Sequence, residues 1–185
     1  MSILEYIAIV STILCVVLSA KERVSAWPVG IISAASLIGV YIPQHMYANI
    51  VLQGIFVVQC SIGWYNWGTK DNLTPSIQDK NQLIVDLAMI IGLGGVYSTA
   101  LILYNPETNW LYTYLDGITT ALALLGNWYL TKKRLQAWPL FMSYNIIIAI
   151  LFSLQGIYSL AALNLVLCCI SFNGFSKWKR DLRKV

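Results

Sequence analysis

Seven long apolar runs occupy most of this 185-residue sequence. They cover residues 3–20, 26–42, 46–67, 82–104, 111–130, 138–154 and 157–175. A helix needs roughly 17 to 25 apolar residues to cross the hydrocarbon core of a bilayer. The runs are too long for barrel strands and lack sustained alternation, so helices are the structure that satisfies their backbone in lipid. We therefore predict an all-α integral membrane protein with seven transmembrane helices.

The composition supports this class and argues against an enzyme. Only 11% of the residues are charged, against about a quarter in soluble domains. The sequence has no Ser/His/Asp set and no glycine-rich phosphate loop, so we predict no enzymatic activity and no cofactor. The lone His45 falls in a loop, and the four cysteines fall within apolar runs without metal-ligand spacing. We therefore expect no metal site and no disulfide framework.

The basic residues predict the orientation in the membrane. All twelve occur in alternate loops and in the C-terminal tail, at positions 21–23, 70–80, 132–134 and 177–184. Lys and Arg beside transmembrane helices stay on the cytoplasmic side. We therefore expect the N-terminus outside and the C-terminus inside. The net charge of +4 needs no nucleic-acid partner to explain it.

An internal repeat organises the chain. "KERVSAWP" at 21–28 returns as "KKRLQAWP" at 132–139. The same offset pairs further residues, namely Glu5 with Asp116, Tyr47 with Tyr158, Leu52 with Leu163, Gln53 with Asn164, Gly63 with Gly174 and Trp67 with Trp178. Matched carboxylates and a matched Gly-x3-Trp ending are hard to obtain by chance in so apolar a chain. We interpret the match as a duplication.

The duplication predicts a domain plan of three helices, one linker helix and three more. The first repeat covers 1–68, the linker helix with its loops 69–110, the second repeat 111–178 and a basic cytoplasmic tail 179–185. An odd linker gives the two copies the same orientation, as parallel repeats about an axis along the membrane normal, and such architectures usually transport small molecules. A non-transporting receptor or scaffold is the alternative.

Polar side chains within the runs suggest where a substrate binds, because amides and carboxylates are costly in hydrocarbon unless they face the interior. The fifth run carries a stripe at helical spacing: Tyr112, Asp116, Thr120, Ala123 and Asn127. On the sixth run, Asn145 should lie near the midplane, and the repeat-related Gln53 and Asn164 at similar depth. Gln59 and Asn66 share a face nearer the cytoplasm and would line an exit. The alternative for each amide is a hydrogen bond that joins two helices.

The sequence resembles the PnuC-type family of bacterial vitamin transporters, which share a SWEET-like 3+1+3 helix plan. The similarity covers nearly the whole chain and is strongest in "YLDGITTALALLGNWYLTKKRLQAWPLFMSYN" and "LQGIYSLAALNLVLCCISFNGFSKWK". It implies a multi-pass protein of the bacterial inner membrane that takes up nicotinamide riboside, thiamine or riboflavin by facilitated diffusion, with a cytoplasmic kinase trapping the product. It leaves open a homo-oligomer, a homotrimer in particular.

The family's Trp-x2-Trp-x3-Asn motif places the substrate on the sixth run. Trp138 and Asn145 match it, and Phe141 replaces the second Trp. Losing that indole N–H removes a donor for a hydroxyl-rich riboside, so from sequence we rank thiamine ahead of nicotinamide riboside. Both are flat aromatic cations that stack on aromatic rings, here Trp138, Phe141 and Tyr144. Glu5 and Asp116 would offset the positive charge, or would pair with Tyr hydroxyls instead.

Overall fold

The computed structural model describes residues 3–43, 46–69, 74–104 and 109–183. Seven helices run through these ranges: α1 (Ile3–Ala20), α2 (Ala26–Tyr41), α3 (Tyr47–Thr69), α4 (Lys80–Tyr104), α5 (Trp110–Thr131), α6 (Ala137–Leu154) and α7 (Tyr158–Leu182). The sequence's one histidine, His45, lies outside the described residues. The predicted all-helical class is confirmed.

The helix bounds follow the apolar runs, with one clear difference. The helix α7 continues past Phe175 to Leu182, beyond the predicted end of the seventh run. Its last turn carries Lys179 and Arg180, and cations there interact favourably with the carbonyl end of the helix dipole. The helix α7 is therefore longer than the apolar run from which it was predicted, and its extra residues are mostly polar or charged.

Length and composition identify only some of these helices as membrane spans. Among the described residues, α1, α6 and α7 are long and apolar enough to cross a membrane. The helix α2 is apolar but 16 residues long, and α3, α4 and α5 are 23, 25 and 22 residues long. For these four helices the sequence-based prediction of a transmembrane span stays a prediction.

Many large apolar side chains are exposed on the outside of the bundle. Examples are Val10, Val51, Val96 and Phe172, each more than half exposed. Small residues pack between α1 and α2: Ala8 on α1 is buried, and its carbonyl oxygen accepts a hydrogen bond from Ser33 Oγ on α2 at 3.2 Å. Small residues at helix interfaces let backbones approach closely, which is the usual way helices pack in lipid.

The helices pack mainly against their neighbours in sequence. Two further contacts, α1 with α7 and α3 with α5, join the first three helices to the last three, and α4 packs on α5. We call the first three helices the first half and the last three the second half. The loops 21–25 and 132–136 lie at one end of the bundle, which we call the basic end.

These two loops have the same backbone conformation. Glu22 and Lys133 occupy equivalent positions and both have positive φ, 57° and 49°. The hydrogen bonds also match: Arg23 N donates to Leu18 O, and Arg134 N to Tyr129 O, each at 2.9 Å. The sequence echo therefore corresponds to a repeated local structure.

The second of these loops is also held by the segment before α4. Ser76 N donates to Lys133 O at 3.0 Å, and Leu135 N donates to Ser76 O at 2.8 Å. The side chain of Gln136 adds two bonds to the backbone of Gln78. The chain that leads into α4 is thereby fixed to the second half.

Candidate functional site

Four tryptophans meet near the basic end, one pair from each half. We call Trp27, Trp67, Trp138 and Trp178 the tryptophan cluster. The ring centroids of Trp27 and Trp67 are 5.2 Å apart at 87°, and those of Trp138 and Trp178 are 5.3 Å apart at 89°. The two edge-to-face pairs are joined through Trp67 and Trp178, whose centroids are 6.0 Å apart.

Glycines make room for these rings. A Cβ atom at Gly174 would lie 2.7 Å from the Trp138 ring, and one at Gly63 would collide with the ring of Trp27. The repeat-related glycines therefore pack against the repeat-related tryptophans, Gly63 against Trp27 and Gly174 against Trp138. The Gly-x3-Trp ending recurs because each half needs a bare backbone beneath an indole.

Of the three motif residues predicted on α6, Trp138 is fully enclosed, with 0% of its surface exposed. Phe141 is half-buried and packs against Trp138, with ring centroids 6.4 Å apart. Its ring also covers Gly126 on α5, where a Cβ atom would lie 3.0 Å from Phe141 Cε1. The full enclosure of Trp138 indicates a packing role for its side chain. The motif alone does not reveal this role.

Asn145 differs from the other buried amides. It is 4% exposed, and its Nδ2 donates to Phe141 O at 2.8 Å within its own helix. Its Oδ1 is buried and has no hydrogen-bond partner among the described residues. A buried acceptor without a donor costs free energy that a bound ligand can offset. Among the described residues, the indole nitrogens of Trp27, Trp138 and Trp178 and Nε of Arg134 also have no hydrogen-bond partner. All four are donors, so Asn145 Oδ1 is the acceptor of this group.

Asn164 and Gln53 occupy related places on α7 and α3. Asn164 is 7% exposed, and its Nδ2 donates to Leu160 O at 2.8 Å, the same bond to the preceding turn that Asn145 makes. Gln53 is half-buried, as is Tyr144 beside Asn145. Their predicted roles in binding stay predictions.

Gln59 joins two helices. Its Oε1 accepts from Asn127 Nδ2 on α5 at 2.9 Å, and its Nε2 donates to Leu124 O at 3.2 Å. Further along α3, Asn66 Nδ2 donates to Thr131 O at 3.4 Å. For Gln59 and Asn66 the alternative role, a hydrogen bond that joins two helices, is therefore present. These bonds connect α3 in the first half to α5 in the second half.

Asp116 and Thr120 line a cavity of about 420 Å³ between α3, α4 and α5. Its wall includes two polar residues that the sequence reasoning missed, Asn49 and Tyr97. Asn49 precedes Gln53 by one helical turn, a spacing that could have revealed it, whereas Tyr97 carries no such signal. The cavity has the volume expected for a small-molecule site, for which about 300 to 1,000 Å³ is usual.

Asp116 also borders a second cavity of about 340 Å³ between α5 and α6. Its lining includes Tyr112 and Gln155. Asp116 itself is exposed, so its carboxylate is accessible from both spaces. Its repeat partner Glu5 is half-buried on α1. A cation entering either cavity would meet negative charge at Asp116.

In the part of the chain that the structure describes, no group of three or more His, Cys, Asp or Glu side chains could hold a metal ion. The four cysteines are free thiols. The polar side chains that line the two cavities are amides, hydroxyls and a carboxylate, groups that can hydrogen-bond an organic molecule.

The fold and these cavities define a polytopic helical membrane protein with polar side chains inside the bundle. The model of the nicotinamide mononucleotide transporter family matches residues 2–180. The chain belongs to this family of transporters and is a multi-pass membrane protein.

Curated relatives and a solved structure agree with the assignment. The nicotinamide riboside transporters PnuC of Escherichia coli (strain K12) and Shigella flexneri are each 21% identical to this chain over 210 residues, covering 100% of it and 88% of their own length. The crystal structure of the vitamin B3 transporter PnuC aligns with a TM-score of 0.74 at 19% identity, over 98% of this chain and 82% of that one. The last comparison shows the shared fold.

Proposed function

We propose that this protein carries nicotinamide riboside across the bacterial inner membrane by facilitated diffusion. The PnuC proteins of Escherichia coli and Shigella flexneri are nicotinamide riboside transporters, which favours this vitamin over thiamine. The sequence analysis ranks thiamine first because Phe141 replaces the second Trp of the motif. Both are flat aromatic cations, so the stacking argument serves either. A cytoplasmic kinase that modifies the product would keep the net flux inward without a coupled ion.

The observation that carries a binding site is the unpaired carboxamide oxygen of Asn145. It is buried in the middle of α6, in a helix that is long and apolar enough to span the membrane. Nicotinamide riboside offers a carboxamide N–H and ribose hydroxyls as donors, any of which would pair with Oδ1. Gln53, Asn164, Tyr144 and Phe141 complete the proposed binding site, as predicted from sequence.

The carboxylates are proposed to attract the pyridinium ring. Asp116 borders both cavities, and Thr120 lies one turn further along α5 in the wall of the larger one. Negative charge at the entrance of a low-dielectric site raises the local concentration of a cationic substrate. Glu5 would play the equivalent part in the first half.

The 3+1+3 plan is proposed as the architecture around this path. Three matched features support it: the two loops with Glu22 and Lys133 at positive φ, the paired tryptophan contacts, and the glycine beneath each indole. The helix α4, packed on α5, takes the place of the linker between the two repeats. Whether copies of the chain form a homotrimer is a separate prediction.

Uptake and binding test the proposed substrate directly. We expect purified protein in proteoliposomes to take up labelled nicotinamide riboside and to release it when the gradient is reversed, because facilitated diffusion needs no energy source. Calorimetric titration should rank nicotinamide riboside ahead of thiamine and of nicotinamide mononucleotide, whose phosphate adds negative charge close to Asp116. Tighter binding of thiamine would reverse the proposal, and so would uptake that requires an ion gradient.

The proposed orientation places the basic end in the cytoplasm. In a variant without native cysteines, a cysteine at Gln155 should react with a membrane-impermeant thiol reagent from outside intact cells. A cysteine at Thr69 should react only after the cells are opened. Both side chains are exposed and lie at opposite ends of the bundle, so each serves as the control for the other. The reverse pattern would contradict the orientation predicted from the basic loops.

A further inference from the structure

The two halves are joined across the basic end by an ion pair between equivalent residues. Lys133 Nζ lies 3.2 Å from Glu22 Oε2, and the two side chains are 13% and 22% exposed. The residues are 111 positions apart, which is the offset of the sequence repeat. One loop of each half thus contributes one charge of the pair.

Lys133 also reaches the tryptophan cluster. Its Nζ lies 4.8 Å from the ring centroid of Trp67, which belongs to the first half. The indole Nε1 of Trp67 donates in turn to Leu130 O at 3.2 Å, and its ring contacts Trp178, both in the second half. The ion pair and the indole beneath it therefore bridge the same gap between the halves.

The backbone at both charged positions supports a role for the side chains. Glu22 and Lys133 have positive φ, a conformation that glycine adopts freely and other residues only at a cost. Such outliers point to a function when the side chain makes a contact that glycine could not. Here the two side chains contact each other.

The open volumes lie farther from this end. The larger cavity borders residues of the opposite part of α3 and α5, including Asn49 and Asp116, whereas the tryptophans at the basic end are buried. In the described conformation the halves are therefore in contact where Glu22 and Lys133 meet, and the two cavities that border Asp116 lie away from that contact.

We propose that Glu22, Lys133 and Trp67 form a latch that closes the basic end of the path between the two halves and must open for substrate to leave there. This inference rests on the proposed transport path but not on the identity of the vitamin. The charge pair can break and re-form as the halves move, because a partly exposed pair is weak enough to open repeatedly. The segment around Ser76, which leads into α4, is hydrogen-bonded to the loop of Lys133 and braces that loop, so the loop of Glu22 is the one expected to move away.

A charge-reversal series tests the latch without any substrate. The background keeps Cys60, which is 6% exposed and lies seven residues before Trp67 on α3, about 10 Å deeper, and replaces Cys15, Cys168 and Cys169. Glu22→Lys and Lys133→Glu should each raise the rate at which a water-soluble maleimide labels Cys60 by about two- to fivefold. The double variant, Glu22→Lys with Lys133→Glu, restores the ion pair but not the cation above the Trp67 ring, and should return the rate most of the way to that of the parent. Equal labelling in all four proteins would overturn the latch.

A reversible cross-link adds the transport readout. In a cysteine-free background, Glu22→Cys and Lys133→Cys joined by a reducible bis-methanethiosulfonate linker should lose nicotinamide riboside uptake by at least about tenfold, keep binding, and regain uptake on reduction. Each single-cysteine variant should transport at the same rate before and after treatment with the linker. Full uptake by the cross-linked protein would refute the latch. A parent protein that carries no nicotinamide riboside would instead refute the proposed substrate, and the labelling of Cys60 would then decide the latch.

Discussion

Replacing Trp138 with alanine should lower the free energy of unfolding by about 3 to 5 kcal/mol, the usual cost of removing a buried aromatic side chain. The indole is fully enclosed, makes an edge-to-face contact with Trp178 and covers the bare backbone of Gly174. Helices in lipid associate largely through close packing, so the cavity left behind has little to offset it. Thermal unfolding in detergent, followed by size-exclusion chromatography, measures the loss.

Two further tryptophan variants serve as comparisons for Trp138→Ala, one buried in the same way and one exposed. Trp27→Ala should destabilise by a similar amount, because Trp27 packs in the same way on Trp67 and above Gly63. Trp64→Ala is the matched control: Trp64 lies one turn before the end of α3 and is 49% exposed, so its loss should change stability little. If Trp138→Ala were as stable as Trp64→Ala, the tryptophan cluster would not be the core that its geometry suggests.

Replacing Asn145 with alanine should weaken substrate binding about ten- to hundredfold, the effect of losing one buried hydrogen bond to a ligand. The free protein should remain as stable as the parent or become more stable. The side chain's hydrogen bond goes to its own helix, and its buried oxygen has no partner among the described residues. Removing an unpaired buried acceptor removes its desolvation penalty from the substrate-free protein. In the substrate-bound protein the same change removes a hydrogen bond to the substrate.

Asn127→Ala provides the opposite pattern. Asn127 donates to Gln59 across the α3–α5 interface, so its loss should lower stability by about 0.5 to 2 kcal/mol while affinity stays unchanged. Titration calorimetry and thermal unfolding of both variants measure the two quantities side by side. If Asn127→Ala weakens binding and Asn145→Ala does not, the substrate site lies at Gln59 rather than at Asn145.

The contrast between these two amides shows the limit of reading depth from sequence. The rise of 1.5 Å per residue places a side chain along the membrane normal, and the polar stripe on α5 was found in this way. Depth alone does not distinguish a side chain that faces a neighbouring helix from one that faces a path. Gln59 and Asn145 both looked like site residues, and the structure pairs one with α5 and leaves the oxygen of the other unpaired.

The same limit applies to the motif on α6. Its spacing predicts that Trp138, Phe141 and Asn145 lie near one face of one helix, and all three lie on α6. It gave no hint that Trp138 would be enclosed by a glycine and a second indole from α7, because that contact depends on residues 36 and 40 positions away. Tyr97 was missed for a related reason: it borders the larger cavity only through the way α4 lies beside α5.

By itself the sequence determined the helices and the repeat. The long apolar runs leave the backbone no other hydrogen-bonded structure in lipid, and the echo at offset 111 fixed which turns, glycines and tryptophans would be equivalent. Only the tertiary structure decided which equivalent residues meet: Glu22 with Lys133, and Trp67 with Trp178. The physical reason is that local sequence sets the rise and the period of each helix, whereas the rotation of one helix against another is set by packing between residues far apart in the chain.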